Sequence, residues 1–354
     1  MPLIHRYFEM NPLDDRQLRH TGKQMETRFP DVELCVVVVN YRTPGMLMDC
    51  LETLVPQVRE LDAEVAIVDN ASADDSVAQL GAWIESRNAQ GCVHLIEAAE
   101  NAGFSAGNNI GIASCTASFY LLLNSDTLVR PGALERLMAT AKAAGPDVGL
   151  VSPRLEWPDG EPQESCFRYH RPVSELIQSS RTGIIADFFG HAEVAMRASD
   201  ERSFPEWTSF ACVMIRRDVF ERVGLMDDGF FMYFEDVEFS FRARQAGFRV
   251  LHDPDARVVH LRGGSSPVKS RTAQRKRLPR YYYESRTRYF YKLYGRLGLW
   301  AANSWWTLGW MIALVRSRAQ KTYRSPACES QWRDIWINFW TPLARYTHPQ
   351  LGKR

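Results

Sequence analysis

Regular patterning along the chain opens at Val32, where Leu34-Cys-Val-Val-Val-Val39 is apolar without a break and ends in Asn40-Tyr41. An uninterrupted β-branched run of this kind predicts a parallel strand buried on both faces. After Pro44-Gly45, residues Met46, Leu47, Cys50, Leu51 and Leu54 recur at helical spacing. A second strand, Glu64 to Val68, ends in Asp69-Asn70, and Ser72 or Asp74 is placed to cap a helix through Trp83 and Ile84. A third strand covers Val93 to Ile96, and a helix starts near Ser105. A fourth strand, Phe119 to Leu123, ends in Asn124-Ser125-Asp126, and Pro131-Gly132 opens a helix to about Ala143. Strands alternating with helices predict an α/β domain around a mostly parallel sheet. In such sheets ligands bind beyond the carboxyl ends of the strands. Asn40, Asp69 and Asp126 each follow an apolar strand, so the pattern gathers three polar side chains at one crevice.

From Ser152 to Phe204 the pattern is irregular and reads as loops and excursions. Order returns with a strand at Phe210 to Ile215, helices from Asp218 and from Asp236 to Ala246, and a short strand at Arg257 to Val259 before His260. Beyond it, Arg262 to Arg296 carries eleven Lys or Arg against one acid, Glu284, interleaved with tyrosines. Gly298 to Val315 then contains only Asn303, Ser304 and Thr307 as polar side chains, together with Trp300, Trp305, Trp306 and Trp310. That run is at the short limit for a spanning helix. Its tryptophans and basic flank favour a helix lying in an anionic membrane interface, with a helical hairpin packed on the main domain, or a true span, as the alternatives. The pattern divides the chain into an extension over residues 1–31, a main domain over 32–266 and a helical, membrane-associating region over 267–354.

Composition adds little beyond this: 45% hydrophobic and 24% charged residues are ordinary for a globular protein, and the net charge of +1 names no partner. Seven cysteines lie scattered without CxxC spacing, which excludes a zinc-ribbon pattern and suits a reducing compartment. The first thirty residues lack the apolar core of a signal peptide, so the cytoplasm is the expected location.

Several residues carry candidate chemistry, each with a plainer reading beside it. Asp69 either meets a ribose or base, or serves the turn Asp-Asn-Ala-Ser. Glu100 to Asn109 is glycine-rich before a helix, suiting close approach to an anionic ligand or merely a tight helix start. Asp126 after a buried strand suits a divalent cation or a capped turn. Glu235-Asp236 opens a helix behind Phe230, Phe231, Tyr233 and Phe234; an apolar wall raises a carboxylate's proton affinity, as a general base requires, yet acids also cap helices. Glu238 and Arg242 are spaced for a surface ion pair. His260 either completes a metal site with Asp126 or is structural. Trp207 either stacks on a sugar or fills the core.

In combination these motifs resemble the family 2 glycosyltransferases of the GT-A fold, and their rhamnosyltransferase-like branch in particular. The residues that carry the resemblance are Val-Asn-Tyr41, Val-Asp-Asn-Ala-Ser72, Glu-Asn-Ala-Gly-Phe-Ser-Ala-Gly-Asn-Asn109, Leu-Asn-Ser-Asp-Thr127, Phe-Met-Tyr-Phe-Glu-Asp-Val-Glu238 and Val-Val-His-Leu-Arg262. The resemblance implies a Rossmann-like domain with a C-terminal helical extension. It implies that Asn40, Asp69 and Asn70 hold the nucleoside, and that Asn101, Gly103, Phe104, Gly107 and Asn108 shape the nucleotide-sugar pocket. Asp126 matches the last acid of the family's DxD motif, here Asn124-Ser125-Asp126 with the first acid replaced. Asp126 and His260 would then hold Mg2+ or Mn2+, and Asp236, supported by Glu235, would be the catalytic base. The implied reaction is an inverting transfer from a nucleotide-sugar donor, dTDP-L-rhamnose before UDP-hexoses, to a cell-surface polysaccharide or polyprenyl-linked acceptor touching Trp207. The expected site of action is the inner face of the cell membrane.

Two rivals stand beside this reading. A nucleotidyltransferase would need a basic, glycine-rich triphosphate loop after the first strand, which Asn40-Tyr-Arg-Thr-Pro-Gly45 does not supply. A carbohydrate-binding scaffold would have lost Asp126 or Asp236, and both are present. Nucleic-acid binding by the basic, Tyr-rich segment is not expected, since no fold signature accompanies it.

Overall fold

The computed structural model describes residues 31–262, 267–320 and 322–346. Its elements, in chain order, begin with β1 (Val32–Asn40), α1 (Pro44–Glu60), β2 (Glu64–Asp69), α2 (Ser76–Ser86) and β3 (Val93–Glu97). There follow α3 (Phe104–Ser114), β4 (Ala117–Asn124), β5 (Thr127–Val129), α4 (Ala133–Ala143) and β6 (Val148–Glu156). The middle of the chain forms β7 (Cys166–Phe167), α5 (Ser174–Ser180), α6 (Gly183–Phe188), β8 (Trp207–Thr208) and β9 (Cys212–Arg216). The remainder comprises α7 (Arg217–Val223), α8 (Glu235–Gln245), β10 (Arg249–His260), α9 (Val268–Ala273), α10 (Arg280–Ala319) and α11 (Gln331–Asp334).

Eight strands form one sheet in the order β3-β2-β1-β4-β9-β6-β10-β5. β3, β2, β1 and β4 run parallel, β9 runs against both β4 and β6, and β5 runs against β10. Alternate side chains of β1 enter opposite layers. Val36 and Val38 pack with α1, α2 and α4, whereas Cys35 and Val37 pack with α3, α7 and α8. That two-sided burial is why β1 is apolar from Leu34 to Val38. Among the sequence expectations, the helix after β2 lacks a cap from Ser72 or Asp74. Asp75 holds the cap position, and Asp74 Oδ1 instead accepts the Ser76 N–H at 2.9 Å.

The expectation of loops from Ser152 onward is corrected at its start, because β6 runs through Ser152-Pro153-Arg154 to Glu156. Likewise the short strand before His260 is the end of the twelve-residue β10. Both strands carry acids that no local pattern marks as buried. Glu156 is enclosed between Arg130 (2.9 Å) and Arg257 (2.7 Å), and Asp253 accepts from Arg136 and Arg202. The guanidiniums come from distant segments and offset the desolvation of the carboxylates.

The segment after residue 266 shares the interior of the main domain. Tyr289, Phe290 and Leu299 of α10 join Phe230, Phe234, Val237 and Trp207 in one apolar cluster. Three of its basic residues, Arg286, Arg288 and Lys292, turn inward, while Arg271, Arg275, Lys276 and Arg296 stay exposed. Arg288 and Lys292 bind Asp227 at 2.8 and 2.6 Å, and Arg286 binds Glu175 at 3.0 Å. Arg277 binds Asp334 at 2.7 Å. Glu238 and Arg242 pair as their spacing foretells, at 3.0 Å, but in the interior and joined by Lys292 rather than at the surface. α10 breaks at Gly295, where φ is 69°. Past the break, Leu299, Ala302, Trp306, Gly309 and Ala313 face inward, while Leu297, Trp300, Leu308, Met311 and Val315 form an exposed stripe on the other face. Among the described residues no helix is long and apolar enough to cross a membrane.

Candidate active site

The ends of β1 and β2 lie side by side, with Asn40 in register with Asp69. Both side chains are buried, and Asn40 Nδ2 donates to Asp69 Oδ2 at 2.7 Å. The turn after β2 folds back on the same carboxylate: Ser72 donates its N–H to Oδ1 (2.9 Å) and its hydroxyl to Oδ2 (2.7 Å). Such an Asx-type turn is what Asp-Asn-Ala-Ser encodes. Arg42 and Thr43, in the loop after β1, tie it to Ser72 and to Ser125 beyond β4. Asn70 Nδ2 donates to Asn101 Oδ1 and to the Gly103 carbonyl, each at 3.0 Å. The nucleoside and pocket candidates Asn40, Asp69, Asn70, Asn101 and Gly103 are therefore one hydrogen-bonded rim.

Gly103 stands at φ 99°, and a Cβ there would lie 2.2 Å from the Phe231 carbonyl oxygen. That oxygen accepts the Phe104 N–H at 2.7 Å. Glycine is thus required for two backbones to meet, and the meeting joins the rim to the turn before α8. Gly107 serves packing in this structure, since its missing side chain makes room for Val39. Asn108 closes on its own helix, donating to the Phe104 carbonyl at 2.9 Å.

Asp126 lies two residues past β4. The antiparallel pairing of Thr127 with His260 sets His260 beside it, with Nε2 3.4 Å from Asp126 Oδ1. Both residues are buried, and His260 Nδ1 has no hydrogen-bond partner. Lys269 and Arg262 lie within electrostatic range of one another, and Lys269 also feels Asp126. A carboxylate oxygen and an imidazole nitrogen are donors that Mg2+ or Mn2+ accepts. Among the described residues no third acid, histidine or cysteine completes a closed metal cage. The donor set fits a cation that shares its remaining positions with a phosphate and water.

Glu235 and Asp236 begin α8, directly after Tyr233 (φ 73°) and Phe234 (φ 67°). Two consecutive aromatic residues at positive φ are strained by about 1–3 kcal/mol each, a cost tolerated where a side chain must be aimed. Asp236 Oδ1 accepts the Val237 N–H at 2.8 Å. Burial of the carboxyl pushes its pKa up to about 7, against the lowering pull of N–H groups that include Phe210's. Glu235 is also pushed well above the ordinary carboxylate range, by burial and then by the charge of Asp236, and its Oε2 has no hydrogen-bond partner. Ala211, the neighbour of Phe210, accepts the Asn124 N–H at 2.9 Å. The contact chain Asp236–Phe210–Ala211–Asn124 thus carries the acid at α8 to the loop that bears Asp126.

Trp207 is buried, stacked on Phe167 at 4.2 Å, with its indole N–H donated to the Arg168 carbonyl at 2.8 Å. It also forms part of the wall of a cavity of about 510 Å3.

Residues 35–204 match the family model described as Glycosyl transferase family 2, and residues 120–344 match the one described as Glycosyl transferase family group 2. The chain belongs to the family 2 glycosyltransferases. Its reaction class is therefore sugar transfer from a nucleotide-sugar donor. It is 25% identical, over 82% of its length and 95% of the relative's, to an N-acetylglucosaminyl-diphospho-decaprenol L-rhamnosyltransferase of Mycobacterium tuberculosis. Its fold resembles that of a mannosyltransferase from Pyrobaculum calidifontis solved with GDP-Man and Mn2+, with TM-score 0.50, 17% identity and coverage of 93% of this chain and 90% of that one. It also resembles GalNAc-T7 solved with UDP, GalNAc and Mn2+, with TM-score 0.52, 17% identity and coverage of 87% and 54%. Both likenesses support the GT-A architecture.

For a glycosyltransferase site, sequence reasoning missed two contributors. The Phe231 carbonyl joins the rim of candidates to the turn before α8, and the Phe210 N–H faces the catalytic candidate. Ser72, which the turn Asp-Asn-Ala-Ser marks, holds the Asp69 carboxylate rather than a helix cap. The other two act through main-chain groups, which side-chain motifs do not report.

Proposed function

We propose that this glycosyltransferase moves one sugar, with inversion, from a nucleoside diphosphate sugar to a hydroxyl of a glycan or polyprenyl-linked acceptor. The observation that carries the reading is Asp236: a carboxyl of raised proton affinity at a strained turn, linked through Phe210 and Ala211 to the Asn124–Asp126 loop. Asp236 takes the proton of the acceptor hydroxyl as that oxygen attacks the anomeric carbon, and the bond to the diphosphate oxygen breaks on the opposite side. A single displacement of this kind inverts the stereocentre and needs no covalent nucleophile. Glu235, whose proton affinity burial raises, supports Asp236 from the same turn.

Asn40, Asp69, Asn70 and Asn101 line the nucleoside side of the rim, and Gly103, Phe104, Gly107 and Asn108 shape the nucleotide-sugar pocket, the last two through the packing of α3. Asp126 and His260 would hold Mg2+ or Mn2+, whose charge stabilises the departing diphosphate. Trp207 borders the acceptor side. By likeness to the mycobacterial rhamnosyltransferase, dTDP-L-rhamnose is the leading donor, ahead of UDP-hexoses.

The reading places the enzyme peripherally on the inner face of the cell membrane. Support comes from the stripe after Gly295, where Leu297 is 83% and Trp300 55% exposed. It runs about 27 Å at 1.5 Å per residue, between Arg296 and the pair Arg316 and Arg318. Apolar faces with tryptophan and flanking cations suit an anionic lipid surface.

The test is thermal stabilisation of the purified protein by dTDP-L-rhamnose, UDP-GlcNAc and GDP-mannose, with and without Mn2+, followed by transfer assays on the strongest binder. Stabilisation by none of a broad nucleotide-sugar panel in either condition sinks the reading.

A further inference from the structure

A cavity of about 510 Å3 lies away from the donor rim, between α5, α6 and the β7–β8 ribbon. That volume suits part of an organic ligand. Its wall is largely apolar, with Phe167, Ile177, Ala186, Val194 and Trp207 among its side chains. The polar residues of the wall are His170, Ser174, Gln178, Arg181, Thr182 and Glu193, and Arg181 is the one arginine or lysine among them. Arg181 is exposed, sits at φ 42°, and is held there by Arg316, which donates to its carbonyl at 3.0 Å. The acid in the wall, Glu193, is exposed to water.

Two further observations set the cavity's place in the molecule. His170, in its wall, packs 5.9 Å from Trp207 and 5.4 Å from Phe234, the residue that precedes Glu235 and Asp236. Its Nδ1 is buried without a hydrogen-bond partner. Trp207 is three residues from Phe210, whose N–H faces Asp236, so their Cα atoms are separated by no more than about 11 Å. On its outer side the cavity is bordered by α6, which buries none of its residues and exposes Ile184 (85%) and Phe188 (77%). An apolar hollow with one cation at its side, apolar side chains outside it and a general base behind it has the polarity of a lipid phosphate.

We propose that this cavity receives the phosphate-linked isoprenoid end of the acceptor, with the phosphate at Arg181 and the first isoprene units against Ile177, Val194 and Trp207. The acceptor sugar then reaches past His170 toward Asp236, and the rest of the chain leaves over Ile184 and Phe188 to the membrane. The inference rests on the proposed transfer to a polyprenyl-linked acceptor and names where that acceptor is held.

Calorimetric titration with farnesyl diphosphate tests it, using the full chain in EDTA and saturating dTDP so that the donor site is filled. Binding is expected to persist under dTDP and to weaken by at least roughly tenfold in Ala186→Trp, which fills the hollow, and in Arg181→Gln. Farnesol, lacking phosphate, should bind wild type weakly and be indifferent to Arg181→Gln, and inorganic diphosphate should not compete. Retained dTDP binding by each variant shows that it is folded. Loss of farnesyl diphosphate binding under dTDP would place the probe in the donor site, and undiminished binding by Ala186→Trp would place it on the outer helices; either result overturns the proposal. If the protein binds nucleotide sugars but no isoprenyl phosphate, this inference alone fails. If it binds neither, the proposed function fails with it.

Discussion

His260 Nε2 stands 3.4 Å from Asp126 Oδ1, and the backbone puts it there, through the pairing of His260 with Thr127 across β10 and β5. Two residues more than a hundred positions apart are thereby fixed as neighbours without any flexible loop between them. A cation held by this pair inherits the rigidity of the sheet.

Asp126→Ala and His260→Ala should each weaken Mn2+-dependent donor binding by at least roughly tenfold, the loss typical of removing even an outer-shell partner. Donor affinity measured in Mn2+ and in EDTA separates the metal-linked part from the rest. An unchanged ratio between the two conditions removes the pair from metal binding.

Asp236→Asn should lower kcat by roughly 10²–10⁴ while donor affinity stays near normal. In wild type the rate should climb with pH to a plateau just above 7, as Asp236 loses the proton that burial holds there up to about 7. The same shift acts on stability. Between about pH 4 and 7 the unfolded chain has released this proton and the folded chain has not, so stability falls as pH rises through that window. The Asn variant should gain in Tm over wild type from pH 4 to 7, and a gap that is flat across this range would contradict the assignment.

Gly103→Ala should lower Tm by several degrees and cut activity more than surface substitutions do, because the new Cβ meets the Phe231 carbonyl and φ 99° strains alanine. Gly45→Ala, which meets nothing within 4 Å, is the matching control. Equal stability of the two variants would mean the rim and the α8 turn are not locked together.

Asp227→Asn should destabilise the fold by about 3–5 kcal/mol, since it leaves the largely buried Arg288 without a counter-charge, while Lys292 keeps Glu238. The two cations hold the Asp227 carboxyl well below the ordinary carboxylate range despite its burial. Urea denaturation at pH 7 provides the measurement, and a midpoint within error of wild type refutes the estimate.

Trp300→Glu combined with Met311→Glu should reduce sedimentation with vesicles containing phosphatidylglycerol while leaving donor binding intact. Phosphatidylcholine vesicles should bind wild type less, because Arg296, Arg316 and Arg318 favour anionic headgroups. Unaltered sedimentation by the double variant would move the membrane contact elsewhere.

The strand ends were legible because residues 34–38, 65–68 and 120–123, the later parts of β1, β2 and β4, are buried on both faces and therefore apolar without interruption. β6 and most of β10 were hidden by Glu156 and Asp253, whose burial depends on arginines from other segments. Window-based reasoning sees a charge and reads solvent. The same blindness put the Glu238–Arg242 pair on the surface, since Lys292, which shares it in the interior, follows some fifty residues later. Asp69, Asp126 and Asp236 could be picked out by their places at strand and helix ends. What could not be picked out were the main-chain groups of Phe210 and Phe231 that aim and join them.

The inward-turned charges of α10 bear on how this enzyme can be handled. A shortened reagent ending near residue 266 would strip the aromatic cluster of Tyr289 and Phe290 and leave Asp227 and Glu175 without their cations. Such a fragment should precipitate rather than behave as a minimal catalyst. Solubility engineering belongs instead on the bare side chains beyond Gly295, where polar replacements disturb no partner inside.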